Sequence, residues 1–233
     1  MIRVGTIKDA EKISNLKIQN YLKTYKGIFD DSYLKNLSIK DEKSKYIRHF
    51  QDRKILVYEK DNKILGYIYY GKRKNNINEL TEYNAEIYAI YVDINFIDSG
   101  IGTKLIKHAL MDLIKDYDKV ILWCAKENIK AQKFYLKNNF VKSNIISNSI
   151  GGKNVTEIAF IFDFTNPANY KLTRFTSFIE KSNIIAVYSN FNMFFLKENT
   201  SLWFKQIVDK DLSSEIPLSF YNYLINKEVI ELA

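Results

Sequence analysis

From Ala85 to Ile114 the sequence reads as a strand, a short loop with two glycines and a helix, and this order constrains the fold more than any other stretch. Ala85-Glu-Ile-Tyr-Ala-Ile-Tyr-Val92 is apolar, β-branched and aromatic, as a strand inside a sheet has to be. Leu105, Ile106, Ala109, Leu110, Leu113 and Ile114 fall on one helical stripe, so the segment after the loop buries a face. Between the two lies Phe96-Ile97-Asp98-Ser99-Gly100-Ile101-Gly102-Thr103. Glycine lets a backbone approach a ligand closely, and the first N–H groups of a helix have no partner inside it, so the loop suits an anion such as a pyrophosphate. Taken alone, Gly-x-Gly equally describes a tight turn that binds nothing.

The flanking segments supply the rest of a sheet with covering helices. Ile13, Leu16, Lys17 and Asn20 recur at helical spacing, which predicts a helix over residues 10–22 with Asp9 placed to cap it. Residues 54–59 and 64–71 read as an antiparallel pair joined by the polar turn Lys60-Asp61-Asn62-Lys63, and residues 72–84 as a loop. Beyond the central helix, Lys119–Ala125 is a further buried strand, and Asn128 can cap a helix whose inner face carries Ala131, Phe134 and Tyr135. Residues 144–150 and 155–162 form a hairpin around Gly151-Gly152, and Asn166-Pro167 marks a boundary between two domains, 1–165 and 170–233.

Composition excludes several classes. The chain has 233 residues, 46% of them hydrophobic, enough to bury a core, and eight glycines with two prolines exclude a collagen-like or linker-dominated chain. The apolar run 120–125 is about a third of a membrane span, and Met1-Ile2-Arg3-Val4-Gly5 lacks the apolar stretch of a signal peptide, so a cytoplasmic protein with no membrane association is expected. Cys124 is alone, and with His49 and His108 beside it no thiolate zinc site can be assembled; no metal is expected. Both histidines are expected at the surface, and Cys124 as a buried small hydrophobe. The net charge of +8 lies wholly in residues 1–165, which hold 28 Lys and Arg against 20 Asp and Glu, whereas residues 166–233 hold seven of each. That excess suits an anionic partner, or reflects a chain rich in lysine throughout.

Over residues 1–163 the chain resembles the GNAT family of acyl-CoA-dependent N-acyltransferases. Ile2-Arg3, Thr6 and Asp9-Ala10 resemble the family's opening strand and first helix, and Thr24-Tyr25-Lys26-Gly27-Ile28 a loop of its small-molecule branch. Residues 87–92 resemble its central strand. Residues 97–102 occupy its Gln/Arg-x-x-Gly-x-Gly/Ala position, and Asn128, Ala131, Phe134, Tyr135 and Phe140 match its Asn-x-x-Ala-x-x-x-Tyr segment and terminal Phe. Ile97 departs from the usual Gln or Arg, Asp98 and Ser99 replace small and basic residues, and Asn139 replaces a glycine. An acidic side chain beside a pyrophosphate is unfavourable unless it points to solvent.

The resemblance implies an α/β (α+β) fold, a mixed central sheet flanked by helices, with acetyl-CoA as acyl donor and an amine of a small molecule or peptide as acceptor. It implies that the backbone of Ile90, Tyr91 and Val92 holds the acyl carbonyl and pantetheine arm. Ile97, Asp98, Ser99, Gly100, Ile101, Gly102 and Thr103 would hold the pyrophosphate, and Asn128 would touch the cofactor further along. Tyr135 matches the tyrosine that protonates the CoA sulfur; the alternative is a core tyrosine on an amphipathic helix. Glu86, 14 residues before Gly100 and on one strand face with Tyr88, Ile90 and Val92 by alternation, is a candidate general base or else a solvated strand-end glutamate. Acceptor specificity would come from residues 23–33 and 72–84. A non-catalytic acyl-CoA or peptide-binding protein on the same fold is the competing class.

Residues 170–233 read as three strands, 175–179, 184–188 and 192–196, then helices over 200–208 and 218–225 and a short strand at 229–230. This small α+β, winged-helix-like order loosely resembles PqqD-like peptide-recognition modules, which implies a peptide ligand added as a strand to a sheet edge. A tail that packs on the catalytic domain or makes a homodimer fits as well. Its zero net charge argues against nucleic acid.

Overall fold

The computed structural model describes residues 1–74, 83–150, 154–166, 169–172, 177–181, 184–189, 192–196 and 230–232. The chain divides into two units, residues 1–113 with 120–162, and residues 114–119 with 163–233.

The first unit contains a seven-stranded mixed sheet in the order β1-β2-β3-β4-β5-β7-β6. β1 (Ile2–Val4), β2 (Lys54–Lys60), β3 (Lys63–Lys72) and β4 (Ala85–Val92) are antiparallel neighbours. β4 is then parallel to β5 (Lys119–Ala125), and β6 (Val141–Ile150) pairs antiparallel with β7 (Asn154–Asp163). The β2–β3 turn closes through Asp61 and Asn62, both at positive φ (50° and 60°), the twist that a two-residue hairpin needs and that Asn and Asp tolerate.

Helices α1 (Ala10–Thr24), α2 (Asp31–Lys35) and α3 (Ile39–Asp52) precede β2; α4 (Ile101–Leu113) links β4 to β5, and α5 (Ile129–Lys137) follows β5. Ala10, Ile13 and Leu16 of α1 and Tyr46 of α3 bury against Ile55, Val57, Tyr67 and Tyr69 on one sheet face. On α4, Ile101, Leu105, Ile106, Ala109, Leu110 and Leu113 are buried, the stripe that the spacing predicts. Asp9 does occupy the cap position of α1, yet its side chain makes no cap bond there. Its carboxylate instead accepts from both terminal nitrogens of Arg3 (2.8 and 2.9 Å) and from the Thr6 N–H (2.8 Å), which tie β1 to the helix entry and hold its pKa down at about 2.

Strand alternation through β4 is corrected by the structure. Tyr69 pairs with Ala89 but Tyr70 pairs with Ile87, so Tyr88 is an extra residue, a β-bulge. The bulge resets which side chains face which layer. Tyr88, Ala89 and Tyr91 pack together on the α1–α3 face, while Val92 turns to the other face, 3.6 Å from where a Cβ on Gly102 of α4 would sit. Glu86 and Tyr88 therefore do not share a face with Ile90 and Val92.

In the second unit, β9 (Ser177–Lys181), β10 (Ile184–Ser189) and β11 (Asn192–Leu196) form an antiparallel sheet with β10 in the centre. β8 (Tyr170–Leu172) pairs with β12 (Ile230–Leu232). The helices expected over 200–208 and 218–225 lie outside the described residues, as do Gly151-Gly152 and residues 75–82. Among the described residues no helix is long and apolar enough to cross a membrane.

Candidate active site

The glycine loop leaves β4 through a short 3-10 turn, Ile94–Phe96, capped by the Asp93 carboxylate accepting from the Asn95 N–H (2.9 Å). Ile97, Asp98, Ser99 and Gly100 are all exposed. Asp98 and Gly100 are in the left-handed region (φ 64° and 81°), a double reversal that delivers the chain into α4. No described residue lies within 4 Å of where a Cβ on Gly100 would stand, so among the described residues the outer side of the turn is open. The first hydrogen bond of α4 runs from the Lys104 N–H to the Gly100 carbonyl (3.0 Å), which leaves the amides of Ile101, Gly102 and Thr103 ahead of it. Gly102 lies against α5, where a Cβ would come 3.1 Å from the Phe134 ring. Ile101 is buried and Thr103 half-buried, so the loop is anchored by its helical end and open at its tip.

Beside the loop the sheet opens. The parallel pairing of β4 with β5 covers Ala85–Ile87 against Val120–Leu122 and stops there, although β4 continues to Val92. Among the described residues the β5-facing edge of Ile90, Tyr91 and Val92 is thereby left without a strand partner. These three residues are half-buried, and the Tyr91 ring packs on Tyr21 and Tyr67 at centroid distances of 5.8 and 5.6 Å.

Glu86 stands at the inner end of that opening, where β4 is still paired to Ile121 of β5. Its side chain is 14% exposed, and Arg73 Nε lies 3.6 Å from its Oε2. Burial pushes its pKa up to about 7, against the lowering pull of the Arg73 and Arg53 charges and with a further upward push from Glu157. A carboxylate poised near neutrality can take up and release a proton at physiological pH, which a solvated strand-end glutamate cannot do with equal ease.

On α5 the Asn128 side chain accepts from the Ala131 N–H (3.1 Å), the cap that the sequence predicts, and it also reaches the Tyr25 hydroxyl. Tyr135 is 9% exposed and its ring packs on Phe134, Phe140 and Phe160. Its hydroxyl makes no hydrogen bond among the described residues, and burial raises its pKa well above that of a free phenol. The phenol therefore keeps its proton at any physiological pH. Tyr135 lies in the electrostatic neighbourhood of Cys124, Tyr25 and Glu157. Cys124 is buried, its thiol pushed up to about 12 by burial, so it is inert as a nucleophile. His108 is exposed, as expected, but His49 is half-buried, its ring against Tyr46 and Tyr69.

Three features of the site are not read from the sequence. Arg73, the partner of Glu86, directly follows the last residue of β3, at the start of the polar run, where an arginine among lysines is the sole local signal. Glu157 projects from β7, a strand that sequence alone does not place near β4. The aromatic wall of Tyr21, Tyr25, Phe29 and Tyr33 spans the end of α1 and the start of α2, with Tyr25 stacked on Phe29 at 4.4 Å. The expected specificity segment 23–33 contains most of this wall, whereas most of 72–84 lies outside the described residues.

Residues 22–140 match the model of the acetyltransferase (GNAT) family, just over half of the chain. The chain belongs to that family. A curated relative is an uncharacterized N-acetyltransferase of Methanocaldococcus jannaschii, 29% identical over 150 residues, which are 63% of this chain; the match spans 65% of the relative's own length, under two thirds. Among solved structures, the paia N-acetyltransferase of Thermoplasma acidophilum in complex with coenzyme A superposes with a TM-score of 0.53 at 21% identity, covering 67% of this chain and 96% of that one. Salmonella typhimurium yncA with its cofactor acetyl-CoA gives 0.54 at 18% identity, covering 70% and 92%. Identities this low establish the GNAT fold and nothing finer.

Proposed function

We propose that the protein is a cytoplasmic N-acetyltransferase that moves an acetyl group from acetyl-CoA to a primary amine of a small molecule or peptide by direct attack. The observation that carries this reading is the end of the β4–β5 pairing at Ile87 and Leu122, which frees the edge of β4 between the glycine loop and α5 with Glu86 at its inner end. The residues fit the cofactor. The open outer side of Gly100 and the forward amides of Ile101, Gly102 and Thr103 suit a pyrophosphate, with Ile97, Asp98 and Ser99 at the exposed tip, and Asn128 stands across the opening. The edge of Ile90, Tyr91 and Val92 suits the pantetheine amides and acyl carbonyl.

Acetyl-CoA supplies an activated thioester. The chain supplies the proton traffic around it. Above about pH 7 Glu86 is a carboxylate, and directly or through water it takes a proton from the acceptor's ammonium group, which frees the amine lone pair for attack on the thioester carbonyl. The Tyr135 hydroxyl holds the proton that the departing sulfur needs, and it is dry enough to hold it until then. Residues 170–233 are read as a module that holds a peptide by strand addition to the β9-β10-β11 sheet.

Release of free CoA thiol in the presence of a panel of amines and short peptides tests the reading. Tyr135→Phe should lower turnover at least about 100-fold with acetyl-CoA affinity unchanged. Unchanged turnover in that variant removes Tyr135 from the chemistry. Tight CoA binding without thiol release for any acceptor favours the binding-protein class.

A further inference from the structure

Among the described residues Glu157 is a carboxylate without a cation. It forms no ion pair and no hydrogen bond among the described residues, although the chain carries eight more cationic than anionic side chains. Lys142, on the neighbouring strand, is turned instead to the Gln132 Oε1 at 3.5 Å. The position of Glu157 follows from strand register. It pairs with Ser147 of β6, and on the other side the Lys126 N–H donates to the Thr156 carbonyl (2.9 Å), which sets Glu157 beside the end of β5. Residues 155, 157 and 159 point to one face of β7. Val155 packs with Ala125 and Phe29, and Ala159 packs with Ile121. Glu157 thus stands between them on the face that carries Glu86 and the aromatic wall. Tyr21, Tyr25 and Tyr33 pack against the cluster that holds Val155 and Phe29. Its charge is felt by Glu86, Tyr25, Cys124 and Tyr135, which places it among the groups of the proposed reaction centre.

A half-buried carboxylate in an aromatic surround is costly unless a cation completes it, and aromatic faces favour the same cation. Glu86 already has Arg73, so among the described residues the unmatched charge on this face is that of Glu157. We infer that Glu157 is the specificity residue for the acceptor: its carboxylate receives the substrate's ammonium group against the Tyr25–Phe29 wall. The acceptors are then cationic alkylamines, not neutral nucleophiles or amines flanked by a carboxylate. This inference rests on the transferase reading and adds the substrate class to it.

The test is binding of n-butylamine and of its neutral counterpart n-butanol, followed by NMR at the Trp123 indole, with the free protein and with the protein saturated with CoA. In the wild type, butylamine should bind at least ten-fold more tightly than butanol. Glu157→Gln should weaken butylamine at least ten-fold and leave butanol unchanged, and Glu157→Asp should fall between. Equal butylamine affinity in wild type and Glu157→Gln overturns the assignment, as does equal weakening of both probes, which marks a structural effect. Should Glu157→Gln fail to fold, the wild-type preference and Glu157→Asp decide by the same criteria. Failure of the transferase reading shows separately, as a wild type that binds butylamine but not acetyl-CoA.

Discussion

Replacing Glu86 by Gln should sharply lower turnover and change how stability depends on pH, because burial works against the charge that catalysis needs. The folded protein lifts this carboxyl from the ordinary 4.5 to about 7, even with Arg73 and Arg53 pulling the other way. The difference corresponds to about 3 kcal/mol of tighter proton binding in the folded state. A raised pKa stabilises the fold fully below the unfolded value, and the contribution is lost as the pH climbs through the folded one. The wild type therefore gives up about 3 kcal/mol between roughly pH 4.5 and pH 8 on account of this group alone. Gln mimics the protonated carboxyl at every pH and gives up nothing. The pull of Arg73 and Arg53 is already contained in the folded pKa, and only costs that do not vary with pH, such as altered packing around the amide, are equal at both ends of the range. The stability of Glu86→Gln relative to wild type should thus grow by about 3 kcal/mol across that interval, read by urea unfolding at several pH values. In parallel, wild-type kcat/KM should rise through about pH 7 and level off, and the variant should lose about 10²-fold or more. Stability curves that run parallel to within about 0.5 kcal/mol would show that Glu86 titrates as an ordinary solvated glutamate, and the reasoning would fail.

Two further outcomes follow from the loop and the packing behind it. Asp98→Asn keeps a residue that tolerates φ 64° and removes a negative charge from the exposed loop tip, so acetyl-CoA affinity should rise about two- to five-fold at low salt and less at high salt; a weaker complex contradicts a pyrophosphate at this loop. Gly66→Ala puts a Cβ 3.0 to 3.1 Å from Ile101 Cγ2, Leu105 Cδ1 and the Tyr91 carbonyl, where β3 supports both the start of α4 and the open edge of β4. It should cost about 1–3 kcal/mol, seen in thermal unfolding, and weaken acetyl-CoA binding as well; wild-type stability in this variant would contradict the tight β3–α4 contact.

What the sequence makes legible is what local pattern determines. β4 and β5 have the bounds that their apolar composition predicts, the α4 stripe is buried residue for residue, and Asn128 caps α5 as its position before Ala131 predicts. Features that depend on a second segment are hidden. The bulge at Tyr88 inserts one residue without altering composition, so alternation carried Ile90 and Val92 to the wrong face. Asp9 looks like a helix cap because it stands in the cap position; Arg3, six residues earlier, claims its carboxylate. Glu86 is recognisable as a candidate base from its spacing to the glycine loop, but its raised pKa depends on burial in the sheet and on the charges of Arg73, Arg53 and Glu157, which only strand order brings together. Glu157 carries no local signal at all, since a single glutamate in an alternating strand ordinarily faces water.

Every catalytic statement depends on a complex between this chain and acetyl-CoA, so the most direct measurement is a calorimetric titration of the full chain with that ligand. Saturable heat with about one site per chain is expected, competed by free CoA and strengthened at low salt. No heat up to about millimolar ligand would mean that the open turn at Gly100 and the free edge of β4 do not hold the cofactor, and the acetyltransferase reading would be wrong.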